Sequence, residues 1–119
     1  MGDGAFAGCA GLKSVQLPDG LKEIPDFAFS SCTGLEGVVT IPAGVKKVGI
    51  RAFYGCNGLE GIRFLDSAPS ARPAADSNQS FPKEMILYYP QGNTSWLTGS
   101  AYDEAAGTWN GYMLKPWNQ

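Results

Sequence analysis

Apolar and polar positions in the first half of the chain recur in blocks. "AFAGCAGL" begins at Ala5, "AFSSCTGL" at Ala28 and "AFYGCNGL" at Ala52. Phe6 and Phe29 lie 23 residues apart, Phe29 and Phe53 lie 24 apart, and the additional residue falls at Val38-Val39. After each octapeptide the chain alternates, as Val15-Gln16-Leu17-Pro18, as Val39-Thr40-Ile41-Pro42 and as Ile62-Arg63-Phe64. That alternation predicts short strands with one buried face. Leu17-Pro18-Asp19-Gly20 and Ile41-Pro42-Ala43-Gly44 carry Pro second and Gly fourth, the preferences of a type I turn. Leu21 and Ile24, like Val45 and Val48, then return apolar groups to the interior.

A unit of this size buries its Phe, Leu, Val and Ile only by lying against the next unit. The predicted architecture is a β-rich (α+β) solenoid of about three repeats over residues 1–66, with short parallel strands about 4.8 Å apart. Ala-Phe-x-x-Cys is expected to form a single helical or 3₁₀ turn on the convex side. The units resemble the BspA-like, or treponemal-type, leucine-rich repeat, which reads roughly I-G-x-x-A-F-x-x-C-x-x-L-x-x-V-x-I-P. Ala-Phe, Cys and Leu match in three units and Pro in two. The third unit departs after Phe64, where Leu65-Asp66 replaces Pro and its turn. The resemblance implies a leucine-rich-repeat solenoid with an interior Cys column. It also implies an exported bacterial protein, extracellular or at the cell surface, that takes part in adhesion.

Residues 67–80 are rich in Ala, Ser, Pro and Asp and predict an exposed loop. Residues 81–119 are expected to hold a degenerate repeat and a C-terminal cap. Phe81 stands for the repeat Phe, and Met85 to Tyr89 form a strand stopped by Pro90. Asn93 or Thr94 caps a short helix through about Thr98 with Trp96 and Leu97 turned inward. A turn covers Ala101 to Ala106, and "TWNGYMLKPW" forms one final strand. "LYYPQGNTSW" resembles the endings of BspA-like repeat runs. Large aromatics suit such an end, which must cover the last apolar coil. At the other end, the coil around Phe6 is expected to present an unpaired edge, covered by further repeats or by self-association.

Sixteen Gly and eight Pro in 119 residues favour turns and strands over long helices. Nine basic against eleven acidic residues, mixed along the chain, argue against nucleic acid and anionic membranes as partners. No stretch approaches the roughly eighteen consecutive apolar residues of a membrane span, and Met1-Gly2-Asp3-Gly4 has no signal-peptide pattern.

Cys9, Cys32 and Cys56 recur with the octapeptide. With no His and no C-x-x-C pair, three thiols make a poor zinc site, and no metal or other cofactor is expected. A disulfide between neighbouring coils is within Cα reach, although parallel side chains and an odd count weigh against it. The period fits best with Cys as a small buried hydrophobe bearing a weak S–H donor.

Candidate catalytic chemistry is sparse. A neutral-pH base is lacking without His, and Asp103-Glu104 are sequence neighbours that do not converge from separate elements. Ser80-Phe81-Pro82-Lys83 matches S-x-x-K only formally, because its Pro disturbs the helix turn that motif needs. The chain is expected not to be an enzyme. Asn78-Gln79-Ser80 and Asn93-Thr94-Ser95 are formal glycosylation acceptors of a kind that arises often by chance.

Protein binding is the leading expectation, because stacked strands make a stiff surface with varying outward side chains. Those positions are Ser14 and Gln16, Val38 and Thr40, then Gly61 and Arg63. The column is polar and holds no aromatic anchor of the kind that dominates binding energies. An alternative is carbohydrate binding on a platform of Trp96, Trp109 and Trp117. A third is a structural spacer.

Overall fold

From the second unit onward the alternation after each octapeptide becomes strand. The computed structural model describes residues 2–118. Its strands are β1 (Glu23–Ile24), β2 (Gly37–Ile41), β3 (Lys47–Val48), β4 (Leu59–Phe64), β5 (Ile86–Pro90), β6 (Tyr102–Asp103), β7 (Thr108–Trp109) and β8 (Tyr112–Trp117). One 3₁₀ helix, Thr94–Leu97, is capped by the Asn93 side chain, which accepts from Ser95 N, and it turns Trp96 inward as expected.

Each coil has three faces. The strand face is the parallel run β2-β4-β5-β8, in which Thr40 pairs with Arg63, Arg63 with Tyr88 and Tyr88 with Lys115. A second face is the short parallel pair β1-β3, aligning Ile24 with Val48. The octapeptides make the third, where successive N–H groups alternate between two kinds of acceptor. Ala28, Ser30 and Cys32 donate three residues back within their own coil, to Pro25, Phe27 and Phe29. Phe27, Phe29 and Ser31 donate onward to Ile50, Ala52 and Tyr54 of the next coil. This alternation needs left-handed backbone at both ends of the turn, and φ is positive at Gly4, Phe27 and Arg51 and again at Gly8, Ser31 and Gly55. Gly34 and Gly58 recur for another reason. A Cβ at Gly58 would stand 2.6 Å from the Leu35 carbonyl of the coil before it, and one at Gly34 would strike that of Ala10.

Inside, Phe6, Phe29, Phe53 and Phe81 form one stack, with ring centroids 5.4, 5.3 and 5.8 Å apart and planes within 14° of parallel. The expected solenoid is therefore present. Its repetition, however, runs a full coil beyond residue 66.

Residues 67–80 are not simply an exposed loop. Ser70 bridges Lys47 and extends the β1-β3 face, while Asn78 O and Ser80 O accept from Arg51 N and Phe53 N, just as the earlier coils do. Ser80, in the place of the repeat Ala, is fully buried; its hydroxyl lies 2.8 Å from Gly49 O and 3.1 Å from Val48 O and accepts from Arg72 N. The segment lacks large apolar groups because backbone hydrogen bonds and one hydroxyl anchor it.

The cap uses the aromatics of the last third. Tyr112 OH accepts from Phe81 N at 3.3 Å, where a following coil would offer a carbonyl, and donates to Arg72 O at 2.7 Å. Burial pushes this phenol up to about 12. The expected single final strand is instead the hairpin β7-β8, turned at Asn110-Gly111 with φ of 51° and 83°, and β6 adds an antiparallel edge. Pro116 is accommodated because β7 pairs only as far as Met113.

The first coil also differs from expectation. Val15-Gln16-Leu17 forms no strand, and Glu36 N to Lys13 O is its one backbone bond towards the β2 side.

Candidate functional site

Strands buried on one face leave alternate side chains outside, and the register fixes which of these share a row. Thr40, Arg63, Tyr88 and Lys115 form one such row across four strands. Beside it Val38, Gly61 and, across β5 and β8, Ile86 and Met113 form a second. Val38 and Met113 are 42% and 47% exposed, high values for apolar residues on a sheet face. A Cβ at Gly61 would stand 2.6 Å from Tyr88 Cε2, so glycine there lets the Tyr88 ring lie across the strand.

Arg63 organises the centre. Its Nε and Nη2 donate to Thr40 Oγ1 at 3.2 and 2.9 Å, and its guanidinium carbon lies 5.0 Å from the centroid of the Trp117 ring. Trp117 is itself fixed by Nε1 donating to Phe64 O at 2.8 Å. On the β2 side of this clasp a groove of about 400 Å³ is lined by Val15, Gln16, Leu17, Asp19, Val38, Thr40, Pro42 and Leu65. Of the surface residues expected from sequence, Gln16, Val38, Thr40 and Arg63 therefore come together. Ser14 is exposed and takes no part in lining the groove. Tyr88, Lys115 and Met113 join the face because β5 and β8 continue the sheet past the regular repeats; the alternation in Ile86-Leu87-Tyr88 and Met113-Leu114-Lys115 is the signal for them in the sequence.

The three tryptophans do not form a platform. Trp96 is fully buried and Trp109 nearly so, their rings tilted at 55° with centroids 4.9 Å apart in the cap, and Trp96 Nε1 donates to Asp66 O. Their area closes the end of the solenoid, and only Trp117 reaches the strand face.

The cysteine column is confirmed in two coils and corrected in one. Cys32 and Cys56 are fully buried, and each Sγ donates to the Phe carbonyl of the preceding coil, Phe6 at 2.9 Å and Phe29 at 3.0 Å. Cys9 is exposed, since no described coil lies over it, and all three are free thiols. Burial raises the Cys32 thiol and pushes Cys56 up to about 12, so neither is a thiolate at neutral pH. Among the described residues no three His, Cys, Asp or Glu side chains converge on a metal position.

The protein-family model of the BspA type leucine rich repeat region matches residues 1–88, in six copies. The chain belongs to this family. No curated protein and no solved structure matches it. The BspA-type match continues through residues 67–80 and into β5, the stretch that folds as the fourth coil. Repeats of this type are generally non-catalytic and suited to protein interaction, and they are typical of surface or secreted bacterial proteins. No helix among the described residues is long and apolar enough to cross a membrane.

Proposed function

We propose that this BspA-type chain is a non-catalytic adhesion module that docks a protein partner, host or bacterial, through its strand face at a bacterial surface. The observation that carries this reading is the contrast between the two sides of the sheet. The inner side repeats aliphatic side chains in register, Val39, Ile62, Leu87 and Leu114, whereas the outer side changes from coil to coil and leaves Val38 and Met113 in solvent beside a fixed Arg–Trp pair. Arg, Trp and Tyr are the residues that most often concentrate binding energy at protein interfaces, and a stiff parallel sheet presents them without a large ordering cost.

The test is retention of the chain on a panel of purified bacterial and host surface proteins. The doubly substituted strand face, Val38→Glu with Met113→Glu, is expected to lose binding to whichever protein is retained. Thr33→Glu, on the octapeptide face, is expected to keep it. Equal loss in both variants, or retention by none of the panel, counts against docking through the strands.

A further inference from the structure

Arg63 is half-buried on the strand face, and among the described residues no carboxylate lies within 4 Å of its guanidinium. Among the described residues the one ion pair within 4 Å joins Arg72 to Asp76, on another part of the coil. Arg63 is met by a neutral hydroxyl and an aromatic face, and its row continues through Tyr88 to Lys115 without a carboxylate. A guanidinium that is partly dehydrated and left without an anion has lost solvation that an opposite charge would restore.

The geometry also selects the anion. A guanidinium has five N–H donors, and Thr40 takes two of them along the Nε/Nη2 edge. The Nη1/Nη2 edge keeps a parallel pair of donors, the fork that matches a carboxylate in bidentate fashion. Thr40 Oγ1 accepts on the first edge only and leaves the second unoccupied by Thr40. Thr40 and Trp117 fix the side chain in advance, which removes much of the rotamer cost of binding.

We propose that Arg63, clasped between Thr40 and Trp117, is the anchor for a carboxylate side chain in an acidic, extended segment of the protein partner. The proposal rests on the strand face being the docking surface and adds the chemistry of what docks there. Lys115 lies two strand spacings from Arg63, about 10 Å, which an extended chain spans in about three residues. Two carboxylates of one acidic segment reach both cations. Val38, exposed beside this row, receives an apolar neighbour.

The experiment is an NMR titration of the full chain at low ionic strength with N-acetylated tetraglutamate, with tetraglutamine and with oligogalacturonate. The reporters are the Arg63 Nε–H and Trp117 Nε1–H signals. Tetraglutamate is expected to shift both saturably and to lose affinity as salt is raised. Tetraglutamine is expected to shift neither. Arg63→Gln should weaken binding about tenfold or more while the amide signals of the Phe stack stay in place. Arg63→Lys keeps the charge without the fork and should fall between. Absence of shifts at millimolar tetraglutamate, equal shifts with tetraglutamine, or undiminished binding by Arg63→Gln would overturn the proposal. Tighter binding of oligogalacturonate would assign the clasp to an acidic glycan and overturn the peptide partner. If tetraglutamate fails while the Val38/Met113 variant still loses its protein partner, the docking face stands and only its acidic preference falls.

Discussion

Phe53 sits in the middle of the ring stack, fully buried, with Phe29 at 5.3 Å on one side and Phe81 at 5.8 Å on the other. Phe6 ends the same stack, 38% exposed, with Phe29 as its one stacking neighbour. Phe53→Ala removes a buried ring and two aromatic contacts, so its cost should lie in the upper part of the usual range, about 4–5 kcal/mol. Phe6→Ala forfeits one contact and less buried area, about 1–2 kcal/mol. A chain of this length is stable by about 6–15 kcal/mol, so the central substitution removes about a quarter or more. Urea unfolding followed by far-UV circular dichroism resolves the difference. With a slope of about 2 kcal/mol per molar, the midpoint should fall by about 2 M for Phe53→Ala and by less than 1 M for Phe6→Ala, with the slope unchanged. The reasoning is refuted if the two substitutions cost the same, or if Phe53→Ala costs less than Phe6→Ala.

Ser31 holds φ of 61° in an exposed turn whose equivalents are Gly8 and Gly55, so Ser31→Gly should stabilise by about 1 kcal/mol, read as a rise in thermal midpoint. Gly58→Ala should destabilise by more than about 2 kcal/mol, because its Cβ meets the Leu35 carbonyl at 2.6 Å. Gly11→Ala at the equivalent position meets nothing within 4 Å and should be close to neutral in the same urea assay. Raising pH should unfold the chain. Cys56 and Tyr112 have folded values of about 12 against ordinary values of 9.0 and 10.0, so their stabilisation is complete below about pH 9 and is lost as pH climbs towards 12. A circular-dichroism pH titration should show loss of structure beginning above about pH 9. A flat signal to pH 12 would count against burial of these groups.

The repeat was legible because each coil needs the same interior filling: Phe in the stack, Cys beneath the preceding Phe carbonyl, and Gly before Leu where two backbones nearly touch. The coil at residues 67–81 was not, because backbone bonds and the Ser80 hydroxyl replace the apolar side chains that a hydrophobic pattern detects. Asn110-Gly111 between Trp109 and Tyr112 is a hairpin signal, and the chain turns there instead of running on as one strand. The exposure of Cys9 follows from its coil having, among the described residues, a neighbour on one side only, a fact of stacking that composition does not contain. At the candidate site, the row Thr40 and Arg63 followed from strand parity. Its aromatic partner did not, since Trp117 reaches Arg63 only after β8 has added itself beside β5. Trp96 and Trp109 look alike in sequence and differ from Trp117 only in what the hairpin closes over.

Thiol accessibility tests the stacked coils most directly. Native protein treated with iodoacetamide at mildly alkaline pH and weighed as the intact chain should gain a single adduct, mapped to Cys9, and should gain three only after unfolding in guanidinium. Alkylation of Cys32 or Cys56 at the rate of Cys9 in native protein would contradict the account.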